Sequence, residues 1–166
     1  QLVPDENALG FIKYAEIEVI YEKPSKPLIF GESYKLVMIA PSTFSTSLQP
    51  LVTHKNNYGL SAKIVTLDEI YSGEHFPVEG SDDAEKIKYF IKNAVEQWGT
   101  LYILLVGDIY KLPIRKTYLG TWEVPTDLYY ADLFFSDGSF ASWDTNGNGR
   151  YGEYWQPSDD TVDLYA

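Results

Sequence analysis

Three short apolar runs, separated by longer amphipathic segments, constrain the fold more than any other feature of this sequence. The runs are YKLVMIAP, SAKIVTL and LYILLVGD, at residues 34–41, 61–67 and 101–108. Short runs rich in Leu, Ile and Val are typical of strands that are covered on both faces of a sheet. Because a helix-length segment separates each run from the next, the pattern predicts parallel strands joined by crossovers.

The segment before the third run is the most regular helical pattern in the chain, at residues 81–99. Asp82 and Glu85 have the spacing of a capping box, and Gly99 is suited to end the helix. Lys and Glu residues are expected on the face opposite the apolar stripe. The stripe recurs at steps of three and four and consists of Ala84, Ile87, Ile91, Ala94 and Trp98.

The first crossover, residues 45–59, is also predicted to be helical. Pro50 suits only the first turn of a helix, and Gly59 can end it. The order strand, helix, strand, helix, strand then predicts an α/β fold with an open, mostly parallel, doubly wound sheet and helices on both faces, as in a flavodoxin-like half. In such sheets sites form beyond the carboxyl ends of the strands, here at residues 41–43 and 107–108.

Residues 1–32 have a different texture from the rest of the chain. The stretch YAEIEVIYEKP alternates apolar and polar residues, which predicts a half-buried strand, and EKPSKPLIFGE predicts a linker. We therefore predict an N-terminal strand and linker at 1–32 and a compact domain at 33–166. The sequence begins at Gln1 without a visible signal peptide, so we expect it to be part of a longer protein.

Charge and cysteine content exclude several classes of function. The formal net charge is −11, which argues against nucleic acid as a partner, because phosphate binding needs clustered Lys and Arg. No apolar run approaches the roughly 20 residues that span a bilayer. The sequence contains no cysteine, which excludes disulfides, thiolate metal sites and a cysteine nucleophile within these residues.

The acidic charge is concentrated after the third strand. Residues 117–166 hold nine acidic residues against one basic residue, Arg150. This part is rich in Tyr, Trp, Asp and Gly and contains at most short predicted strands, such as LYYADLFF at 128–135. A long irregular stretch with this many aromatic residues is usually functional rather than disordered, so we expect something to hold its backbone in place.

The stretch DTNGNGRYGE has the spacing of a calcium loop. Its first three candidate ligands stand at positions 1, 3 and 5 of an EF-hand-like loop, with Gly149 at the sharp turn and the Arg150 carbonyl at position 7. Glu153 stands at position 10 instead of 12, so the loop is shortened and must close differently. The sequence thus predicts an irregular acidic Ca²⁺-binding loop whose ligands are Asp144, Asn146, Asn148, Arg150 and Glu153.

Two alternatives remain for this stretch, and a third is disfavoured. The shell could be completed by Asp159 or Asp160 instead of Glu153. The same residues also form tight Asx turns without any ion. A nucleotide loop is disfavoured, although GNGRYG matches G-x-G-x-x-G, because neither a strand before it nor a helix after it is indicated and the surroundings would repel phosphate.

Several stretches together resemble the gingipain-type cysteine peptidases, and the resemblance covers about residues 33–166. They are YKLVMIAPSTF, YGLSAKIVTLDEIY, IKYFIKNAVEQWGTLYILLVGD, VPTDLYYADL and WDTNGNGRYGEY. The resemblance implies a caspase-like fold and a secreted or cell-surface endopeptidase that acts on proteins or peptides. It also implies that the catalytic His and Cys lie in a second half, after a Pro-Asp and Gly-Arg strand that should begin where DDTVDLYA ends.

On this resemblance, the chain is the amino-terminal, non-catalytic portion of such a peptidase, and it supports the carboxy-terminal catalytic half of the same polypeptide. The alternative is a calcium-stabilised binding or spacer module of a surface protein, without catalysis. The two hypotheses differ in whether a His and a Cys follow Ala166 in the longer protein. Neither assigns a catalytic residue to the present chain.

The remaining candidates for chemistry have simpler explanations. His54 and His75 are expected to be ordinary surface or loop histidines, because no cysteine is present to pair with either. A triad of Ser42, His54 and Asp108 has no supporting motif. Asp108 and Asp127 are expected to cap turns, although both could instead help to shape a cleft.

Overall fold

The computed structural model describes residues 2–3, 8–9, 31–119 and 122–153 of the chain. The strands are β1 (Leu2–Val3), β2 (Ala8–Leu9), β3 (Leu36–Ala40), β4 (Ala62–Thr66), β5 (Tyr102–Leu105), β6 (Arg115–Leu119) and β7 (Trp122–Thr126). The helices are α1 (Ser45–Asn57), α2 (Leu67–Ser72), α3 (Asp83–Asn93) and α4 (Leu128–Ala131). A 3₁₀ turn (Ser42–Phe44) precedes α1, and a π-helical turn (Ala94–Trp98) extends α3. The strand predicted in YAEIEVIYEKP and the alternative ligands Asp159 and Asp160 lie outside the described residues.

The centre of the fold is a three-stranded parallel sheet in the order β4-β3-β5. Leu36 at the start of β3 is in register with Ala62 on one side and with Tyr102 on the other. All five residues of β3 are buried, as its continuous apolar sequence predicts. Two strands flank β3 on opposite sides, so the strand order reverses at its carboxyl end. The predicted α/β fold with a parallel sheet is therefore confirmed.

Alternation along β3 divides the core between the two faces of the sheet. Leu36 and Met38 point to one face, where they form a cluster with Val52 of α1 and Ala62 of β4. The opposite face belongs to a larger core that also contains the apolar stripe of α3; its sheet and α3 members include Val37, Ile39, Val65, Ile87 and Ile91. Helices thus pack on both faces, as expected for a doubly wound sheet.

Two details of the predicted elements are wrong. Pro50 does not lie in the first turn of its helix, because α1 already begins at Ser45 and the proline falls inside it. The third strand was expected to be covered on both faces up to Asp108, but β5 ends at Leu105. Tyr102 and Leu104 on β5 are 58% and 38% exposed, because no described element covers that face of the strand.

Helix α3 follows the prediction at its ends but not along its surface. Asp82 accepts a hydrogen bond from the Glu85 backbone N–H at 2.9 Å, which caps the helix, and Gly99 ends the π-helical turn with a φ of 66°. The Glu85 side chain bonds Ser81 instead of completing the capping box. Lys88 does not lie on a solvated face, since its exposure is 0%.

The region after β5 contains more regular structure than its sequence suggests. Strands β6 and β7 form an antiparallel hairpin that no sequence pattern had indicated. The strand predicted at 128–135 is wrong: α4 occupies its first half, and only an isolated bridge between Phe134 and Phe140 is strand-like. None of the helices in the described part of the chain is long and apolar enough to cross a membrane.

Candidate functional site

Residues 141–153, called the acidic loop below, contain neither helix nor strand, and several of their side-chain oxygens accept hydrogen bonds from the loop's own backbone. Asp144 accepts hydrogen bonds from the backbone N–H groups of Asn148 and Gly149 at 2.9 and 3.0 Å. Asn146 and Asn148 accept bonds from the N–H groups of Asn148 and Arg150 at 3.0 and 2.7 Å. The lack of a preceding strand also removes the structural basis for a nucleotide loop.

The Glu153 side chain contacts other predicted ligands, although it stands at position 10 of the calcium-loop pattern instead of position 12. Its side chain is 4% exposed, and Oε2 accepts a bond from Asn148 Nδ2 at 2.8 Å, with Asn146 Nδ2 at 3.5 Å. Arg150 Nη1 lies 3.6 Å from Oε1 of the same carboxylate. The structure therefore brings side chains of all five predicted residues together. Arg150 makes its contact through the guanidinium, however, and not through the carbonyl that was predicted as a ligand.

The chemistry of these donors suits a hard cation. Two carboxylates and two amide oxygens are ligands of the kind that Ca²⁺ takes, and Glu153 supplies a carboxylate already withdrawn from water. The amide groups of Asn146 and Asn148 now direct N–H toward Glu153, so a bound cation would require their oxygens to turn inward instead. The backbone bonds to Asp144 are also those of Asx turns, which is the alternative interpretation of the same stretch.

The acidic loop contains a conformationally strained residue near its start. Trp143 has a φ of 68°, a backbone conformation that bulky residues rarely adopt. Its carbonyl accepts a bond from the Gly152 N–H at 2.8 Å, which closes the loop, and its indole donates to Asp132 at 2.6 Å. Gly152 has a φ of 65°, and a Cβ there would lie 2.7 Å from both Trp143 and Thr117.

A buried lysine connects the acidic loop to α3. Lys88 Nζ donates to the Ala141 carbonyl at 2.5 Å and lies 4.2 Å from the ring centroid of Tyr129. The rings of Phe140 and Trp143 are within 5.3 and 5.4 Å. Desolvation by burial lowers the pKa of Lys88 to about 7, while the nearby Asp132 opposes this effect. The aromatic faces also favour the charged form.

A second buried cation, Arg115 of β6, connects the hairpin to the start of α3. Its guanidinium donates to both carboxylate oxygens of Asp82 at 2.8 and 2.9 Å and to the Tyr129 hydroxyl at 3.2 Å. It also stacks 3.6 Å from the ring centroid of Tyr151. Burial opposes the charge on Arg115, but the bonds to Asp82 and Tyr129 outweigh it, and the pKa is raised. The Asp82 carboxylate thus caps α3 and also forms the ion pair with Arg115.

Sequence reasoning missed both buried cations. For Lys88 a signal exists, because it stands four residues after Ala84 and three before Ile91 and so falls within the apolar stripe. A lysine at such a position needs partners inside the core. Arg115 follows no comparable periodic pattern, and its partner Asp82 is far away in sequence.

The two acidic turn residues behave differently. Asp108 accepts a bond from the Tyr110 N–H at 3.0 Å, which confirms its expected role in a turn. Asp127 makes no capping bond with its side chain, and Thr126 instead accepts from the Leu128 N–H at 3.1 Å. Asp127 lines a groove beside β5, which agrees with the alternative that it helps to shape a cleft.

The structure does not bring Ser42, His54 and Asp108 together as a hydrolytic triad. Among the described residues, no hydrogen bond or ion pair joins Ser42, His54 and Asp108. His54 is exposed on α1 and stacks on Tyr58 with ring centroids 4.6 Å apart, as expected of a surface histidine. His75 lies in a loop, but its side chain is only 11% exposed.

We predict that Lys88 makes the stability of the protein depend on pH. Its pKa is about 7 when folded and near 10.5 when unfolded, so between these values the unfolded chain binds more protons. Stability should therefore rise from pH 7 to pH 10, by at most about 4 kcal/mol. Urea denaturation at several pH values should show this slope in the wild type and in Lys92→Met, an exposed control on the same helix, but not in Lys88→Met. A slope unchanged by Lys88→Met would contradict the prediction.

Replacing Gly152 should damage the closure of the acidic loop far more than replacing Gly147. Both glycines have a positive φ, but a Cβ at Gly147 meets no atom within 4 Å, whereas at Gly152 it overlaps Trp143. Gly147→Ala should lose only about 1–2 kcal/mol for its backbone conformation, and Gly152→Ala more than about 3 kcal/mol. Chemical denaturation of both variants measures the difference, and equal losses would refute the close packing.

Comparison with known families adds one finding. Residues 31–165 match the sequence model of Peptidase family C25. A search of curated proteins and a search of solved structures each produced no match. The matched range covers both the parallel sheet and the acidic loop, and it agrees with the resemblance drawn from the sequence.

Proposed function

The chain belongs to peptidase family C25, and on that premise we propose that it is the amino-terminal, non-catalytic portion of a gingipain-like cysteine endopeptidase. The chain contains no cysteine, so the nucleophile of such an enzyme must come from other residues. Its own contribution is then to support the catalytic half of the same polypeptide. The substrates of the whole enzyme are proteins or peptides.

One observation carries this proposal: the uncovered side of β5. Parallel strands are normally covered on both faces, because the crossovers that connect them place helices there. Tyr102 and Leu104 nevertheless stand exposed on one face of β5, and Leu101 is exposed just before it. Among the described residues β5 pairs only with β3, so its other edge retains free backbone donors and acceptors.

A groove beside this edge extends the uncovered surface. It has a volume of about 630 Å³ and lies between β5, the end of α3 and α4. Its lining is mostly apolar and includes Val95, Ile103, Tyr130 and Leu133, with Asp127 as a charged member. We propose that the catalytic half packs against β5 and fills this groove, continuing the sheet.

Calcium is the second part of the proposal. One Ca²⁺ ion is held by side-chain oxygens of Asp144, Asn146, Asn148 and Glu153 and by the Arg150 carbonyl. The grouping of Asn146, Asn148 and Arg150 around the buried Glu153 carboxylate supports this assignment. Two neutral amides among the ligands suit moderate affinity, and so a calcium-rich extracellular setting in which the enzyme is secreted or attached to the cell surface.

Disrupting the exposed side of β5 should strongly reduce peptidase activity without unfolding this chain. We expect Leu104→Glu in the full-length protein to lower cleavage of a fluorogenic peptide library by more than tenfold, because a charge would enter the interface. The melting temperature of the 166-residue chain itself should change little, since Leu104 is already partly exposed. The matched control is Tyr58→Glu, at the end of α1, which should keep full activity.

Full activity of Leu104→Glu would show that the catalytic half does not depend on β5. Absence of peptidase activity in the wild-type full-length protein would favour the non-catalytic spacer module instead.

Calcium should raise the melting temperature of the chain through binding to its folded state. At a free concentration about 100 times the dissociation constant, the gain in stability is about 2.7 kcal/mol. Asp144→Asn should remove most of this gain, because it takes one charge from the site while leaving an oxygen for the turn. Asp137→Asn changes a similar turn aspartate outside the loop and should respond to calcium like the wild type. Equal melting temperatures in millimolar calcium and in chelator would exclude the site.

A further inference from the structure

A second group of potential metal ligands lies at the carboxyl end of α2, away from the acidic loop. Glu69, Glu74 and His75 each place one ligand atom so that all three lie within 4.8 Å of one another. No step of the proposed function uses them. Unlike the acidic loop, this group offers an imidazole nitrogen in addition to two carboxylates.

The backbone of this cluster is fixed by both ends of a short helix. At the start of α2, Glu69 Oε2 accepts bonds from the Thr66 N–H and hydroxyl at 2.5 and 2.9 Å, which completes a capping box. At the end, Gly73 has a φ of 74°, and the Glu74 N–H donates to the Glu69 carbonyl at 3.2 Å. These bonds form a Schellman motif that folds Glu74 and His75 back toward Glu69.

The ring of His75 points a buried nitrogen at Glu69 without a hydrogen bond. Nε2 lies 3.9 Å from Glu69 Oε1, beyond hydrogen-bond range, and has no hydrogen-bond partner among the described residues. The ring packs against Trp98 and Phe90, with centroids 5.3 and 6.4 Å away. A buried polar atom without a partner is costly, so this nitrogen points to a ligand between itself and the two carboxylates.

We propose that Glu69 Oε1, the Glu74 carboxylate and His75 Nε2 bind one divalent transition-metal ion of the zinc type. Zinc takes His nitrogen and Glu oxygen at about 2.0–2.1 Å in tetrahedral sites, so its ligand atoms lie about 3.3 Å apart. The 3.9 Å between Glu69 and His75 needs only a small side-chain adjustment to reach this spacing. Glu74 is exposed and can rotate onto the ion, and water occupies the fourth position.

The ion has a structural role in this proposal. It ties the end of α2 to the loop that carries His75, and through the His75 ring to Trp98 in the main core. The capping bonds of Glu69 use Oε2, so Oε1 can bind the ion without loss of the helix cap. Calcium is a poor occupant here, because it prefers oxygen ligands in larger number.

The test is a Zn²⁺ titration of the full chain in 10 mM calcium, which keeps the acidic loop out of the measurement. Calorimetry should give one site, and Co²⁺ as a substitute should give the visible absorption of a four-coordinate ion. His75→Gln should weaken binding by more than about tenfold, since even partners of metal ligands change affinity by 10–100-fold. The matched control is His54→Gln, which removes the chain's other histidine and should bind normally.

Glu69→Gln retains a side chain that can close the capping box, so weaker metal binding in this variant cannot be attributed to a lost helix cap. In the wild type, Zn²⁺ should also shift the imidazole nitrogen signals of His75 and leave those of His54 in place. Absence of stoichiometric binding, or binding that His75→Gln leaves unchanged, would overturn the proposal. Neither result bears on the role of β5 or on calcium.

Discussion

The buried amine of Lys88 is the group on whose interactions the second half of this structure depends. A lysine of α3 can be held inside a protein only if its charge or its hydrogen-bonding capacity is satisfied there. Here the Ala141 carbonyl and the ring of Tyr129 provide that environment, and Trp143 closes it from the side. Because these partners all come from the region after β7, an irregular segment is tied to a regular helix.

Arg115 strengthens the same connection from the other direction. Its bidentate pair with Asp82 joins the β6–β7 hairpin to the cap of α3, and Tyr129 contacts both cations. The Asp82 side chain is 47% exposed whereas Arg115 is buried, so removing Asp82 would leave a buried guanidinium without its main partner. The strained backbone of Trp143, near the start of the acidic loop, is held in place by this surrounding network.

The regular part of the fold was predictable from the sequence, because local pattern and tertiary role agree there. The apolar run of β3 and the periodic stripe of α3 are explained by burial alone, and both elements lie where they were expected. The features that were not predicted have a common cause: they depend on contacts between residues that are far apart in the sequence. The uncovered face of β5, the helical conformation of α4 and the pairing of Arg115 with Asp82 each depend on neighbours that no local pattern reveals. In the acidic loop, Glu153 contacts Asn148 and Arg150, whereas its predicted role as a calcium ligand stays a prediction. The buried position of Lys88 contradicts its assignment to a polar face.

The central claim is that the parallel sheet and the acidic loop form one cooperative unit through Lys88 and Arg115. Native-state hydrogen exchange tests it most directly. The Gly152 N–H, bonded to Trp143, and the Ala141 N–H, bonded to Leu133, should exchange with opening free energies within about 1 kcal/mol of those in β3, because they open only on global unfolding. If the opening free energies of these two amides were several kcal/mol below those in β3, the loop would open independently of the sheet, which would contradict the account.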